Sequence, residues 1–153
     1  ANRMRWFMEK FRIMFLCTGN SCRSQMAEGW ARFLAGDEIE VRSAGIESHG
    51  QNPQAIQVMS EVGIDISQQE SIRVNGEMLE WADLLVTLCE NADEQCPVVS
   101  PHTLRLHLPL TDPAKYRGSE AELLKEFRIT REKIKQRVNY VLQQLNKSVV
   151  NGR

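Results

Sequence analysis

The chain has 153 residues, 42% of them apolar and 25% charged, with a formal net charge of −1. That length suits a single domain with a substantial core, and that charge supplies no basic field for nucleic acid or acidic membranes. Any anion must therefore be held by a local site. No apolar run approaches the roughly 20 residues that span a bilayer. Residues 1–10 lack the apolar run and small-residue cleavage site of a secretory signal. The expectation is a cytoplasmic protein with one domain over 11–149 and an N-terminal extension over 1–10.

Residues 12–17 (Arg-Ile-Met-Phe-Leu-Cys) have the apolar run of a strand buried on both faces. After a Gly19-Asn20 turn, 24–35 read as a helix with Met26, Trp30, Phe33 and Leu34 on one stripe. Residues 39–43 alternate like a second strand that ends at Ala44-Gly45. From Pro53 a helix carries Ala55, Val58, Met59 and Val62 at helical spacing until Gly63 stops it. Residues 83–89 form a third buried-type strand and 104–108 a fourth, after which Pro109 and Asp112-Pro113 break the chain. Two helices are predicted at the end, over 119–127 and from 130 to about 149, the second striped by Ile134, Val138, Val141 and Leu145. This alternation predicts an α/β fold, a four-stranded parallel sheet with helices on both faces. Ligands in such sheets bind outside the carboxyl ends of the strands, where Cys17 and Cys89 both fall. Trp30 and Trp81 read as core, and His49 beside Gly50 as a surface turn residue.

Cys17 and Arg23 bracket Thr18-Gly19-Asn20-Ser21-Cys22, directly between a predicted strand and a predicted helix, and Ser24 follows. Successive amides of a tight loop form a nest for a tetrahedral oxyanion, and the helix behind it adds its positive end. Gly19 and Asn20 tolerate the left-handed backbone that such a curl requires. Arg23 can close over the loop and grip two oxygens with its planar fork. A helix N-terminus and a guanidinium also favour the thiolate form of a cysteine, so the feature that holds the anion prepares Cys17 as a nucleophile. Ser24 can donate a hydrogen bond to its sulfur. Cys22 reads as loop packing. No Gly-Lys-Ser/Thr closes the loop, which excludes the nucleotide-binding kind.

Two further thiols, Cys89 and Cys96, are separated by Glu-Asn-Ala-Asp-Glu-Gln. From spacing alone they are buried or loop cysteines, a redox pair, or, with His102 and His107, zinc ligands. The intervals of seven, six and five do not match the usual zinc pattern on both sides. If 89–96 were helical, the two cysteines would stand about 10.5 Å apart along the axis. A disulfide needs Cα atoms about 4.4–6.8 Å apart, so a helix here must unwind for the pair to close, and the segment is expected to be mobile.

The run from Cys17 to Ser24, followed by Met26-Ala27-Glu28, resembles the signature of the low-molecular-weight protein tyrosine phosphatase superfamily. Ser43-Ala44-Gly45, Gly63-Ile64-Asp65 and Asp112-Pro113 match as well, so the resemblance covers nearly the whole chain. Val86-Thr87-Leu88-Cys89 and Cys96-Pro97 look like the thioredoxin-coupled arsenate reductase branch. The resemblance implies that the loop residues Thr18, Gly19, Asn20, Ser21, Cys22, Arg23 and Ser24 bind arsenate, with phosphate and sulfate as competing oxyanions. It makes Cys17 the nucleophile and Asp112 the general acid. It implies that Cys89 and then Cys96 resolve in a thiol–disulfide cascade, with thioredoxin as electron donor and no tightly bound cofactor. The implied class is a thioredoxin-dependent oxidoreductase of arsenic resistance with a redox-active disulfide.

Some relatives hold potassium near the loop. Asn20, Glu28 and Ser43 match three of its ligands, whereas Glu70 and Ile72 stand where a Thr and an Asp are expected. Two other readings stay open: a phosphatase acting on phosphate monoesters, and an oxyanion-binding redox sensor. Residues 46–54 contain no Phe, Tyr or Trp with which to wall a phosphotyrosine.

Overall fold

The computed structural model describes residues 10–96 and 99–151, the side chains of 147–151 excepted. The extension expected over 1–10 lies, apart from Lys10, outside the described residues. The described chain contains four strands: β1 (Phe11–Cys17), β2 (Ile39–Gly45), β3 (Leu84–Thr87) and β4 (Leu104–His107). Between and after them run α1 (Arg23–Ala35), α2 (Pro53–Ser60), α3 (Gly76–Trp81), α4 (Glu90–Gln95) and α5 (Glu120–Asn151). The strands pair in the order β2-β1-β3-β4, all parallel.

β1 lies between two neighbours, and Ile13, Met14, Phe15 and Leu16 are buried on whichever face they point to. That is the burial an unbroken apolar run demands, since parallel sheets of this kind are covered on both sides. α1, α2 and α5 pack against one another, while α3, the second helix between β2 and β3, contacts β1. The register sets Cys17 level with Gly45, and Leu16 level with Thr87. The ends of β1, β2 and β3 thus form one carboxyl edge.

Three sequence expectations are corrected. The two C-terminal helices are one, α5, because nothing at Arg128-Ile129-Thr130 breaks a helix. Phe127, Thr130, Ile134, Val138 and Val141 lie buried on a single stripe across the supposed gap. The third strand stops at Thr87, and Cys89 instead caps α4, its Sγ accepting from the amide of Ala92 at 3.3 Å. Trp81 is only half-buried at the rim, with the guanidinium carbons of Arg12 and Arg42 at 5.8 and 5.2 Å from its ring centre. Trp30 is core, and its Nε1 donates to the Arg131 carbonyl at 3.1 Å. The unexpected helix α3 starts at Asn75, whose side chain accepts from Met78 N as an N-cap.

α5 is fastened to the end of α2 through Glu61. Arg128 donates to both carboxylate oxygens, at 2.9 Å to Oε1 and 2.8 Å to Oε2, and Arg131 adds a further bond at 2.9 Å. The Arg128 hydrogen bond, opposed by burial and helped by the Arg131 bond, holds the Glu61 carboxyl below its ordinary value of 4.5. A depressed carboxylate adds stability that is complete above the unfolded value and lost as pH falls through the folded one. Glu61→Gln is therefore expected to lower Tm by about 2 °C at neutral pH, and the difference should vanish in strong acid. A constant gap across a pH series of melting curves would contradict this.

Candidate active site

Cys17 is the last residue of β1 and Arg23 the first of α1, so the turn between strand and helix is the loop itself. The segment after β2 shapes it. The amides of Ile46, Glu47, His49 and Asn52 donate to the carbonyls of Cys17, Thr18, Gly19 and Ser21 at 3.1, 2.8, 2.9 and 3.0 Å. With those carbonyls drawn outward, the amides of Gly19 to Cys22 have no acceptor among the described residues. Backbone donors left over in a tight loop at a helix N-terminus form a cradle for an oxyanion. A Cβ on Gly45 would lie 2.6 Å from the nitrogen of Asn20 and 2.3 Å from the Glu47 carbonyl, so only glycine lets β2 approach this closely.

Asn20 takes the left-handed conformation, with φ 47°, and is fully buried. Its Oδ1 accepts from the amide of Ile72 at 2.8 Å, and its Nδ2 donates to Ser24 Oγ at 2.8 Å and Ser43 Oγ at 3.0 Å. Both donor hydrogens of the side chain and its carbonyl oxygen thus serve to fix the loop. Since Ser24 Oγ accepts from Asn20, its own hydrogen is left for Cys17 Sγ, 2.8 Å away. Ser43 donates onward to Glu28 Oε1 at 2.6 Å, and Glu28 pairs with Arg32. Burial raises the Glu28 carboxyl above its ordinary range, against the bonds from Ser43 and Arg32.

Gly19 was expected to supply left-handed backbone. It has no positive φ; its Cβ would meet the His49 ring at 2.3 Å, so the position is small because His49 lies over it. His49 is a surface residue as expected, bonded to Glu47 at 2.6 Å, yet it also covers the loop.

Arg23 is buried, with NH1 donating to the Leu110 carbonyl at 2.9 Å. Its Nε is buried without a hydrogen-bond partner among the described residues. A donor in that state is costly, and an oxyanion in the loop would relieve it. Asp112 stands on the opposite rim, Oδ2 at 3.7 Å from Arg23 NH2 and Oδ1 accepting from Ala114 N at 3.0 Å. Cys22 Sγ is 3.6 Å from Asp112 Oδ1, a contact the sequence did not suggest. Burial first, then the charges of Asp112 and Cys17, push the Cys22 thiol far above its ordinary value, which suits a protonated residue that packs and donates.

Cys89 lies at the same edge. Leu88 donates to the Leu16 carbonyl at 2.9 Å, and the next residue's Sγ comes to 3.2 Å from Thr18 Oγ1, beside Cys17. Asn91 Nδ2 also reaches Thr18 Oγ1, at 3.3 Å. Cys96 closes the far end of α4, half-buried, its thiol raised above the ordinary range chiefly by burial. All four cysteines are reduced.

Residues 12–151 match the model of the low molecular weight phosphotyrosine protein phosphatases. The chain belongs to that family. Similar proteins include the arsenate reductase of Bacillus subtilis, 53% identical over 131 residues that cover 86% of this chain and 94% of the relative. The arsenate reductase of Staphylococcus xylosus is 50% identical over 78% of this chain and 91% of its own. Among solved structures, an arsenate reductase in its phosphate binding state superposes with a TM-score of 0.68 at 36% identity, over 88% of this chain and 98% of that one. A low molecular weight phosphatase from T. tengcongensis reaches 0.72 at 26% identity, over 88% and 99%.

The potassium ligands of some family members do not fit here. Asn20, Ser43 and Glu28 are hydrogen-bonded to one another, Arg32 already balances the Glu28 carboxylate, and Ile72 offers its amide to Asn20. Zinc fares no better: among the described residues no three His, Cys, Asp or Glu side chains gather as metal ligands. His107 instead bonds Thr87 Oγ1 at 2.8 Å and His102 bonds Ser100 at 2.6 Å.

Proposed function

We propose that the chain is an oxidoreductase that reduces arsenate to arsenite through Cys17, Cys89 and Cys96. Cys17 attacks arsenic, and a hydroxyl leaves as water with a proton from Asp112. Amides of the loop and the Arg23 fork hold the remaining oxygens. Cys89 then attacks the sulfur of Cys17: the S–S bond forms, the S–As bond breaks, and its electron pair stays on arsenic, which departs as arsenite. Cys96 next attacks Cys89, giving the Cys89–Cys96 disulfide and restoring the Cys17 thiolate. A dithiol partner of the thioredoxin kind in the cytoplasm would reduce that disulfide.

The observation that carries this reading is Cys89 Sγ at 3.2 Å from Thr18 Oγ1, with Cys96 at the other end of a six-residue helix. Hydrolysis of a phosphate ester needs one nucleophile, one acid and water; two more thiols at the same edge suit a two-electron reduction. The Bacillus subtilis and Staphylococcus relatives are arsenate reductases, and this chain shares half of their residues. Among the described residues no helix is long and apolar enough to cross a membrane.

Phosphatase activity is the second reading, favoured by the shared loop and Asp112. It should be slight, since the 46–54 rim offers no Phe, Tyr or Trp as a wall and Tyr116 turns its hydroxyl toward Glu122. The deciding measurement is arsenate-dependent NADPH oxidation with thioredoxin and its reductase. Steady turnover is expected, collapsing to about one arsenite per chain in Cys96→Ser. No NADPH use alongside rapid hydrolysis of an aryl phosphate would overturn the reading.

A further inference from the structure

Cys89 and Cys96 are held by different means. Cys89 is anchored by the sheet: Leu88 before it bonds Leu16, and Leu110 bonds back to the Leu88 carbonyl at 3.0 Å. Cys96 is held through α4, which has six residues and buries only Ala92. A helix that short does not form by itself in water, so contacts from outside must maintain it.

Asn91 reaches Thr18 and Ala92 packs into the core, and β4 supplies the polar contacts on the remaining side. Arg105 and His107 are two apart on the strand and share a face. Arg105 NH2 donates to the Asp93 backbone carbonyl at 2.6 Å and to Asp93 Oδ1 at 3.2 Å. A cation on a carbonyl near a helix C-terminus is favourably placed against the helix dipole. At the other end His107 Nε2 lies 3.2 Å from Glu90 Oε1 but is not hydrogen-bonded to it, and the firmer link is Nδ1, which meets Thr87 Oγ1, itself donating to Asp93 Oδ1 at 3.2 Å. The same contacts act on the carboxyl of Asp93. Although burial would raise it, the Arg105 bond and the charges of His107 and Arg105 hold it below the ordinary range.

We propose that Arg105, Asp93 and His107 form a latch that keeps α4 wound and Cys96 away from Cys89, so that they are positioning residues governing when the second disulfide forms. The inference rests on the three-thiol reading of the site. The step it controls is the exchange in which the Cys96 thiolate attacks Cys89 of the Cys17–Cys89 disulfide and Cys17 leaves as thiolate. No electrons are gained or lost overall. While the latch holds, Cys96 is a helix length from its target and its thiol is raised by burial. Release both shortens the distance and exposes the sulfur. The first exchange does not depend on the latch, because Cys89 is already placed by the sheet beside Thr18.

Arg105→Ala and Asp93→Ala separate mechanical restraint from electrostatics. The Arg105 charge lowers the Cys96 pKa and the Asp93 charge raises it, so through charge alone the two variants would change the reactivity of Cys96 in opposite directions. Each chain is mixed with one equivalent of arsenate, quenched with acid and alkylated, and its disulfides are counted by mass spectrometry. Conversion of Cys17–Cys89 to Cys89–Cys96 is expected to run about fivefold faster in both variants, the order set by one half-exposed ion pair. Arsenite release should stay within about twofold of the parent, and amide exchange at 90–96 should rise in both. Opposite effects on the conversion rate, or unchanged rates despite faster amide exchange, would overturn the latch while leaving the cascade intact. Absence of any Cys17–Cys89 disulfide in the parent chain would overturn the cascade and the latch together.

Discussion

Cys17→Ser is expected to abolish arsenate reduction, by on the order of 10⁴-fold or more, while leaving oxyanion binding in place. In the proposed cascade the sulfur bonds to arsenic and then carries the S–S bond to Cys89; a serine oxygen cannot take its place in that redox sequence. The cradle does not depend on that side chain. Its amides are oriented by the bonds from Ile46, Glu47, His49 and Asn52 to the loop carbonyls, and by Asn20 bridging Ser24 and Ser43. Phosphate should therefore bind the variant as tightly as the parent in calorimetry, and a single equivalent of arsenate should release no arsenite. The contrast with Cys96→Ser, expected to release one, separates the nucleophile from the terminal thiol. Reduction persisting in Cys17→Ser would place the chemistry elsewhere.

Arg23→Lys is expected to lower kcat/KM for arsenate by about 10²–10³-fold, although the charge is kept. The guanidinium does three jobs that an ammonium cannot combine. NH1 bonds the Leu110 carbonyl, NH2 faces Asp112 at 3.7 Å, and the buried Nε is directed at no group of the described protein. A lysine has one nitrogen on a flexible stem and cannot fork. Because the side chain is buried, the variant also leaves the Leu110 carbonyl short of a partner, at a cost of about 1 kcal/mol; a modest fall in Tm should accompany the kinetic loss. An unaltered kcat/KM would mean that charge alone, without the fork, meets the oxyanion.

How much of this was legible in the sequence follows from how local each signal is. β1, the loop and α1 are contiguous, so one stretch of chain carries an apolar run, a turn and a helix stripe in a fixed order. The carboxyl-edge position of Cys17 followed from that order alone. Gly45 could be seen only as the end of a strand, because its need to be small comes from Asn20 and Glu47 crossing over it. Gly19 was assigned the wrong reason for a similar cause: a positive φ can be guessed from the residue type, but a histidine ring thirty residues away cannot. α5 read as two helices from its sequence, whereas Thr130, at the supposed break, lies on the buried stripe that joins them. The grip of Arg105 and His107 on α4 was out of reach, since it depends on the β3–β4 register that sets Thr87 beside His107.

α4 gives the molecule a division of labour between what it folds with and what it reacts with. Of its side chains only that of Ala92 enters the core, whereas the loop with Cys17, Asn20 and Arg23 is built into the centre of the sheet. On the proposed cascade, changes in the 90–96 stretch would alter the fate of a bound oxyanion without threatening the fold that binds it. Substitution in the loop risks both at once. A scaffold so arranged can be tried with new electron-transfer chemistry by altering one short surface turn, its anion cradle inherited unchanged.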